Sequence, residues 1–169
     1  MTADGLGWLN DRQRDGGVDR IELPAGTSGE LWLCGKHAVA NRFDRGEWDT
    51  IVCLVERHEL QGRYVDYLEW LDARPSSAIW LPIHDLHVPT EAEMHHLVDA
   101  IVAELADGGR LLVHCAAGMG RAGTTAACVL VRLGLAVDEA LATVHRCRPG
   151  AGPEAGVQLE LVHAVAAGR

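Results

Sequence analysis

Leu111-Leu112-Val113-His114-Cys115-Ala116-Ala117-Gly118-Met119-Gly120-Arg121 is the stretch around which the chain is organised. Leu111 to Val113 is a short apolar run and reads as a buried strand. Ala122 to Leu133 is almost entirely small or apolar and reads as a buried helix. A strand, a glycine-containing loop and a helix N-terminus, in that order, make an anion cradle. Loop N–H groups converge on one point, and the helix dipole adds positive potential there. The same donors and dipole favour a thiolate at Cys115. Arg121, six residues on, can fold back and offer a planar bidentate fork to phosphate oxygens.

Outward from this stretch the chain alternates strands and helices. Residues 1–20 are polar and rich in Gly, Asp and Arg, an irregular N-terminal arm; residues 21–169 read as a single domain. Ile21 to Leu23 and Leu31 to Cys34 form two short strands around the breakers Pro24, Gly26 and Gly29. His37 to Asp44 makes a short connecting helix, and Thr50 to Leu54 a core strand. The run Glu56-Arg57-His58-Glu59 reads as the solvated start of a helix, and Tyr64, Tyr67, Leu68 and Leu71 fall at amphipathic spacing. Ala78 to Ile83 is another strand. Thr90 with Glu93 signals a capping box for a helix reaching Ala106. Two further helices cover Asp138 to Cys147 and Glu154 to Ala167. The pattern predicts an α/β fold: a three-layer sandwich with a mainly parallel central sheet and helices on both faces. The site then falls at the carboxyl ends of the strands.

Composition narrows the function. The chain has 169 residues, 48% of them hydrophobic, enough for one well-formed core. A formal charge of −9 argues against nucleic acid or an anionic membrane as partner. No apolar run approaches the ~18 residues of a membrane span. Five cysteines without paired spacing, and no signal sequence, point to reduced thiols in a cytoplasm. Of fifteen Lys and Arg residues Lys36 is the only lysine, a bias in keeping with a GC-rich bacterial genome. His84, Asp85 and His87 invite a metal reading. However, no helix sets the two imidazoles on one face, and a third positioned ligand is lacking. No metal or other cofactor is therefore expected, and the oligomeric state stays open with a monomer favoured.

His114-Cys115, five residues and Arg121, with Gly118 and Gly120 between, resemble the signature loop of the cysteine-dependent protein tyrosine phosphatases. The likeness is nearest to their small dual-specificity branch, the kinase-associated-phosphatase-like members, and covers roughly residues 30 to 165. It implies a protein-tyrosine-phosphatase-like fold and a phosphate monoester hydrolase working through a phosphocysteine, on a phosphorylated protein or a small phosphate monoester. It assigns Cys115 as nucleophile and Ala116, Ala117, Gly118, Met119, Gly120 and Arg121 as the phosphate-binding loop. Asp85, thirty residues upstream, becomes the general acid, and His114 orders the loop by hydrogen bonds. Gln158, after Arg148-Pro149-Gly150, matches a glutamine that helps to place the attacking water, across a spacer with extra Gly and Pro. A Glu-Arg-His run like that at Glu56 follows the equivalent strand in phosphoinositide phosphatases of the superfamily. Their resolving cysteine aligns with Leu54 rather than Cys53, so a buried structural thiol is favoured for Cys53 over a redox partner of Cys115. One departure stands out: the family places Ser or Thr after the arginine, and this chain has Ala122. The neutral loop disfavours a highly phosphorylated inositol headgroup. Two other readings remain, a phosphate- or phosphopeptide-binding module with little turnover and a rhodanese-like sulfurtransferase.

Overall fold

In the computed structural model, residues 17–168 are described. Five strands form one sheet: β1 (Asp19–Ile21), β2 (Glu30–Gly35), β3 (Thr50–Cys53), β4 (Ala78–Trp80) and β5 (Arg110–Cys115). Their order is β1-β2-β5-β3-β4, with β1 antiparallel to β2 and the other pairs parallel. Among the described residues six helices accompany them: α1 (Lys36–Ala40), α2 (Val65–Asp72), α3 (Glu91–Ala106), α4 (Gly120–Arg132), α5 (Val137–Cys147) and α6 (Gly156–Ala167). A single 3₁₀ turn, Arg57–Glu59, follows β3. This is the three-layer α/β arrangement that the alternating pattern implies.

β5 lies at the centre of the sheet, with β2 and β3 on either side. Leu111, Leu112 and Val113 are fully buried, as a strand covered on both faces must be. Helix α4 is packed against α3, α5 and α6, and every residue from Gly120 to Val131 is buried. Its lack of a polar face follows: a helix surrounded by others has no side for water. The helix α3 begins where the capping box predicts. Thr90 Oγ1 accepts from Glu93 N at 3.2 Å, and the Glu93 carboxylate accepts from Thr90 N at 2.8 Å.

Some boundaries differ from the sequence reading. The first strand starts at Asp19, two residues early, because its pairing runs from Asp19 opposite Leu33 to Ile21 opposite Leu31. Two residues assigned to the arm therefore belong to the sheet; the arm's residues 1–16 lie outside the described residues. β4 ends at Trp80 instead of Ile83, since Pro82 has no N–H to give. The chain still runs alongside β3, with Leu81 N donating to Cys53 O and Ile83 N to Leu54 O.

Candidate active site

The loop after β5 owes its shape to where its carbonyls go. Ala116 O accepts from Lys36 N at 3.0 Å. Ala117 O and Gly118 O accept from Nη2 and Nε of Arg148, both at 2.8 Å. Met119 O accepts from Gly123 N and Gly152 N. Four successive carbonyls are thus held by donors outside the loop. In a trans peptide the N–H points opposite to the C=O, so the N–H groups of residues 117–120 turn the other way. Turned away from those donors just ahead of the α4 N-terminus, such N–H groups are of the kind that can cradle an anion. Gly118 makes the turn possible at φ 73°. A Cβ there would collide with the Cys34 carbonyl and come within 2.9 Å of Arg148 Nη2.

Arg148 is 1% exposed and also donates to Gly17 O and Asp19 Oδ2, each at 2.8 Å. One buried guanidinium therefore ties β1 to the back of the loop. Asp19 supplies the countercharge that a buried arginine needs.

Arg121 is 3% exposed and is fixed by a second ion pair. Nη1 and Nη2 donate to Glu59 Oε2 and Oε1 at 2.8 and 2.9 Å, and Nη1 also donates to Ile83 O at 2.8 Å. Glu59 Oε2 accepts in addition from Glu56 N at 2.9 Å, which ties the pair to the 3₁₀ turn. Burial works against the charge of Arg121, but Glu59, Cys115 and Asp85 outweigh it and hold the group above its usual range. Burial likewise opposes the charge on Glu59, and Arg121 with the Glu56 N–H holds it below the ordinary carboxylate range. Asp85 Oδ1 lies 3.4 Å from Arg121 Nη2, on a side chain 66% exposed. It sits in a tight turn: His87 N donates to His84 O, and Leu86 has φ 61°. A leucine in the left-handed region is rare and strained.

Behind the loop is a buried chain of hydrogen bonds. His114 is fully buried, and burial pushes its pKa down to about 4, so the ring is neutral at pH 7. Nδ1 lies 3.2 Å from Cys115 O, which can only accept, so Nδ1 carries the proton. Nε2 therefore accepts from the Tyr67 hydroxyl, at 2.7 Å. The buried Cys53 thiol lies near this pair, and burial pushes its pKa up to about 12. Cys53 is the register partner of His114, not of Cys115. Paired residues of a parallel ladder share a face and successive residues alternate, so Cys53 and Cys115 lie on opposite faces of the sheet.

Cys115 is 3% exposed and opens into a cleft of about 150 Å³. Asp85, Ala116, Ala117, Met119, Gly120, Arg121 and Glu154 line it with Cys115. Of the residues singled out in the sequence, Cys115, Arg121, Asp85 and the loop residues Ala116, Ala117, Met119 and Gly120 meet here, with His114 next to Cys115 in β5. Gly118 contributes through its backbone, behind the lining. Gln158 does not reach the cleft. It is 1% exposed, accepts from Glu154 N at 2.7 Å through Oε1, and donates to His87 O at 3.4 Å through Nε2. Its amide bridges the rim loops that carry Glu154 and Asp85, and it is Glu154 that faces the cleft. The sequence reading missed Glu59, Tyr67, Arg148 and Glu154 as site residues. Glu59 carried a signal as the last member of the Glu-Arg-His-Glu run, and Arg148 as the first of the Arg148-Pro149-Gly150 run.

Comparison with known proteins agrees with this geometry. Residues 41–164 match the family model described as the DSP-PTPase phosphatase domain of Swiss Army Knife proteins. The dual specificity protein phosphatase CDC14C of Homo sapiens is 38% identical over 127 residues, which make up 70% of this chain and 28% of that protein. The chain thus spans less than a third of that relative. Among solved structures, the active form of Tk-PTP superposes with TM-score 0.69 at 27% identity, covering 88% of this chain and 97% of that one. Kinase associated phosphatase, with its catalytic-site cysteine changed to serine, superposes with TM-score 0.74 at 20% identity, covering 90% and 96%. PTPMT1 in complex with PI(5)P gives 0.71 at 21%, covering 89% and 95%. These last two likenesses speak for the fold alone.

Proposed function

Because the chain belongs to the DSP-PTPase phosphatase family, we propose that it is a cysteine-dependent phosphate monoester hydrolase acting on phosphorylated proteins. The observation that carries this reading is the meeting of Cys115, the loop that follows it and Arg121 around one small cleft. Cys115 as thiolate attacks phosphorus. Arg121 and the loop N–H groups hold the equatorial oxygens as charge spreads over them. Asp85, on the rim, gives its proton to the leaving oxygen, and a phosphocysteine forms. Asp85, then ionised, takes a proton from the water that attacks in the second step. Gln158 acts in this step at a remove, by fixing the two rim loops.

Charge supports a protein substrate. Among the described residues Arg121 is the only cation lining the cleft, and its charge is already matched by Glu59 and approached by Asp85; Glu154 adds another carboxylate. A monoester dianion is bound by the loop N–H groups, whereas a polyphosphorylated headgroup finds no second cation. Both phosphotyrosine and phosphoserine or phosphothreonine are admitted by this reading. Among the described residues no helix is long and apolar enough to cross a membrane. Five cysteines with no disulfide among the described residues fit a reducing cytoplasm, a bacterial one by composition, and the protein is taken to act as a monomer.

Phosphate release from an aryl phosphate and from phosphotyrosine and phosphothreonine peptides tests the proposal. Turnover blocked by vanadate and abolished by Cys115→Ser is expected. Tight vanadate binding without phosphate release would favour a binding module, and thiocyanate formation from thiosulfate and cyanide a sulfurtransferase.

A further inference from the structure

Beside the catalytic cleft runs a second, larger hollow of about 460 Å³. Its wall is the segment from Gly150 to Gly156, backed by Leu141 and His145 of α5 and Leu159 of α6. Two observations join it to the cleft. Glu154 lines both. Gly152 N donates to Met119 O at 3.2 Å, so the wall of the groove is hydrogen-bonded to the phosphate loop itself. Close approach is built in: a Cβ on Gly123 would collide with Gly152 N. The groove therefore keeps a constant position relative to Cys115.

Its lining is mostly apolar. Leu141, Ala151, Pro153, Ala155 and Leu159 supply apolar surface; among its lining residues His145 and Glu154 are the polar side chains, and no lysine or arginine is among them. Three exposed apolar residues follow residues of the cleft rim in the chain. Among the described residues four large hydrophobic side chains are exposed: Val65, Leu86, Val157 and Leu159. Leu86 follows Asp85 on one rim, and Val157 and Leu159 follow Glu154 on the other. Exposed apolar surface collected beside a catalytic cleft marks a place where something docks.

We propose that this groove receives the polypeptide flanking the phosphorylated residue, and that it selects apolar side chains there. The inference rests on the phosphatase reading of the cleft. An extended chain advances ~3.3 Å per residue, so a segment leaving the cleft past Glu154 enters the groove within a few residues. Leucine, valine, proline or methionine at those positions bury against Leu141 and Leu159. Aspartate or glutamate would be desolvated there with no cation, facing Glu154 across the junction. The same two features turn away an anionic lipid headgroup.

The test separates docking from chemistry. Fluorescent phosphopeptides, identical except for two Leu or two Asp residues on either flank, are titrated against the full chain carrying Cys115→Ser. Their binding is compared with and without Leu159→Asp. Hydrolysis of a small aryl phosphate, which has no flank, is followed in the protein that retains Cys115. On one flank, Leu is expected to bind at least ~10-fold more tightly than Asp. Leu159→Asp is expected to remove that preference, Leu159→Met to retain it, and neither to change aryl phosphate turnover or the melting temperature appreciably. Equal affinity for both flanks, or a preference that survives Leu159→Asp, overturns the groove. So does binding to phosphoinositide vesicles that Leu159→Asp abolishes while peptides show no discrimination, since the occupant is then a lipid. Failure of wild-type aryl phosphate hydrolysis refutes the phosphatase reading instead, and the peptide affinities still decide the groove.

Discussion

Glu59→Gln takes one charge from the pair that aims Arg121. The arginine side chain is 2% exposed and the glutamate 12%. Removing one member of a buried pair costs ~3–5 kcal/mol, because the other is left charged and poorly solvated. Two features moderate that here. The glutamate lies partly in reach of water, and glutamine keeps one acceptor for Arg121 or for Glu56 N. A loss of about 2–3 kcal/mol in unfolding free energy is expected, read as a lower urea midpoint with the denaturant slope unchanged. The pH dependence has a definite sign. Glu59 is held below the usual carboxylate range in the folded protein, so its contribution is fully present above that range and is lost as pH falls through the lowered value. The variant should lack that part of the acid limb. Catalysis should suffer too: with Glu59 neutral, Arg121 loses the bidentate carboxylate that fixes the plane and direction of its guanidinium. A fall of at least ~10-fold in kcat/KM for an aryl phosphate follows, equivalent to about 1.4 kcal/mol of lost transition-state stabilisation. A urea midpoint shift worth less than ~1 kcal/mol, together with unchanged kcat/KM, would refute the view that Glu59 holds Arg121 in place.

Four more outcomes are expected. Tyr67→Phe leaves His114 Nε2 buried without its donor and should cost about 1–3 kcal/mol in urea denaturation; a loss within ~0.5 kcal/mol would deny the hydroxyl its role. Ala122 lacks the hydroxyl that relatives place after the arginine, Thr125 Oγ1 is engaged by Arg121 O at 2.9 Å, and Thr124 Oγ1 is buried without a partner. With no donor to the departing sulfur, phosphoenzyme hydrolysis should be slow by roughly 10- to 150-fold, giving a phenol burst in stopped flow that Ala122→Ser erases; absence of the burst in wild type contradicts this. Asp85→Ala should reduce turnover by ~100-fold or more for poor leaving groups and much less for acidic phenols, and uniform losses would remove Asp85 as the proton donor. Mild peroxide should oxidise Cys115 without joining it to Cys53, because the two face opposite sides of the sheet; a Cys53–Cys115 disulfide in peptide mapping would show that the strands rearrange.

The strand–loop–helix outline around Cys115 was legible in the sequence because its components are consecutive. A strand, a glycine able to adopt φ 73° and a helix start occupy consecutive residues, and the chemistry of Cys115 and Arg121 follows from their places in that run. Alternating strands and helices likewise determined a parallel sheet with the site at its carboxyl edge, and the Asp85 loop fell there by the same rule. What the sequence could not show are the partners that make the loop rigid, since these come from distant segments. Glu59 is 62 residues from Arg121, Tyr67 is 47 from His114, and Arg148 is 30 from Gly118. The charge run at Glu56 and the tyrosines of α2 look like a solvated turn and an amphipathic helix by local pattern. Only the strand order β2-β5-β3 brings them against β5. Gln158 and Glu154 make the contrast sharpest. Gln158 lies in the first turn of α6 and Glu154 in the loop just before it, and local pattern does not tell which of two such polar side chains will face a cleft. Packing decides it: the Gln158 amide is consumed between two loops, and the Glu154 carboxylate is left to line the site.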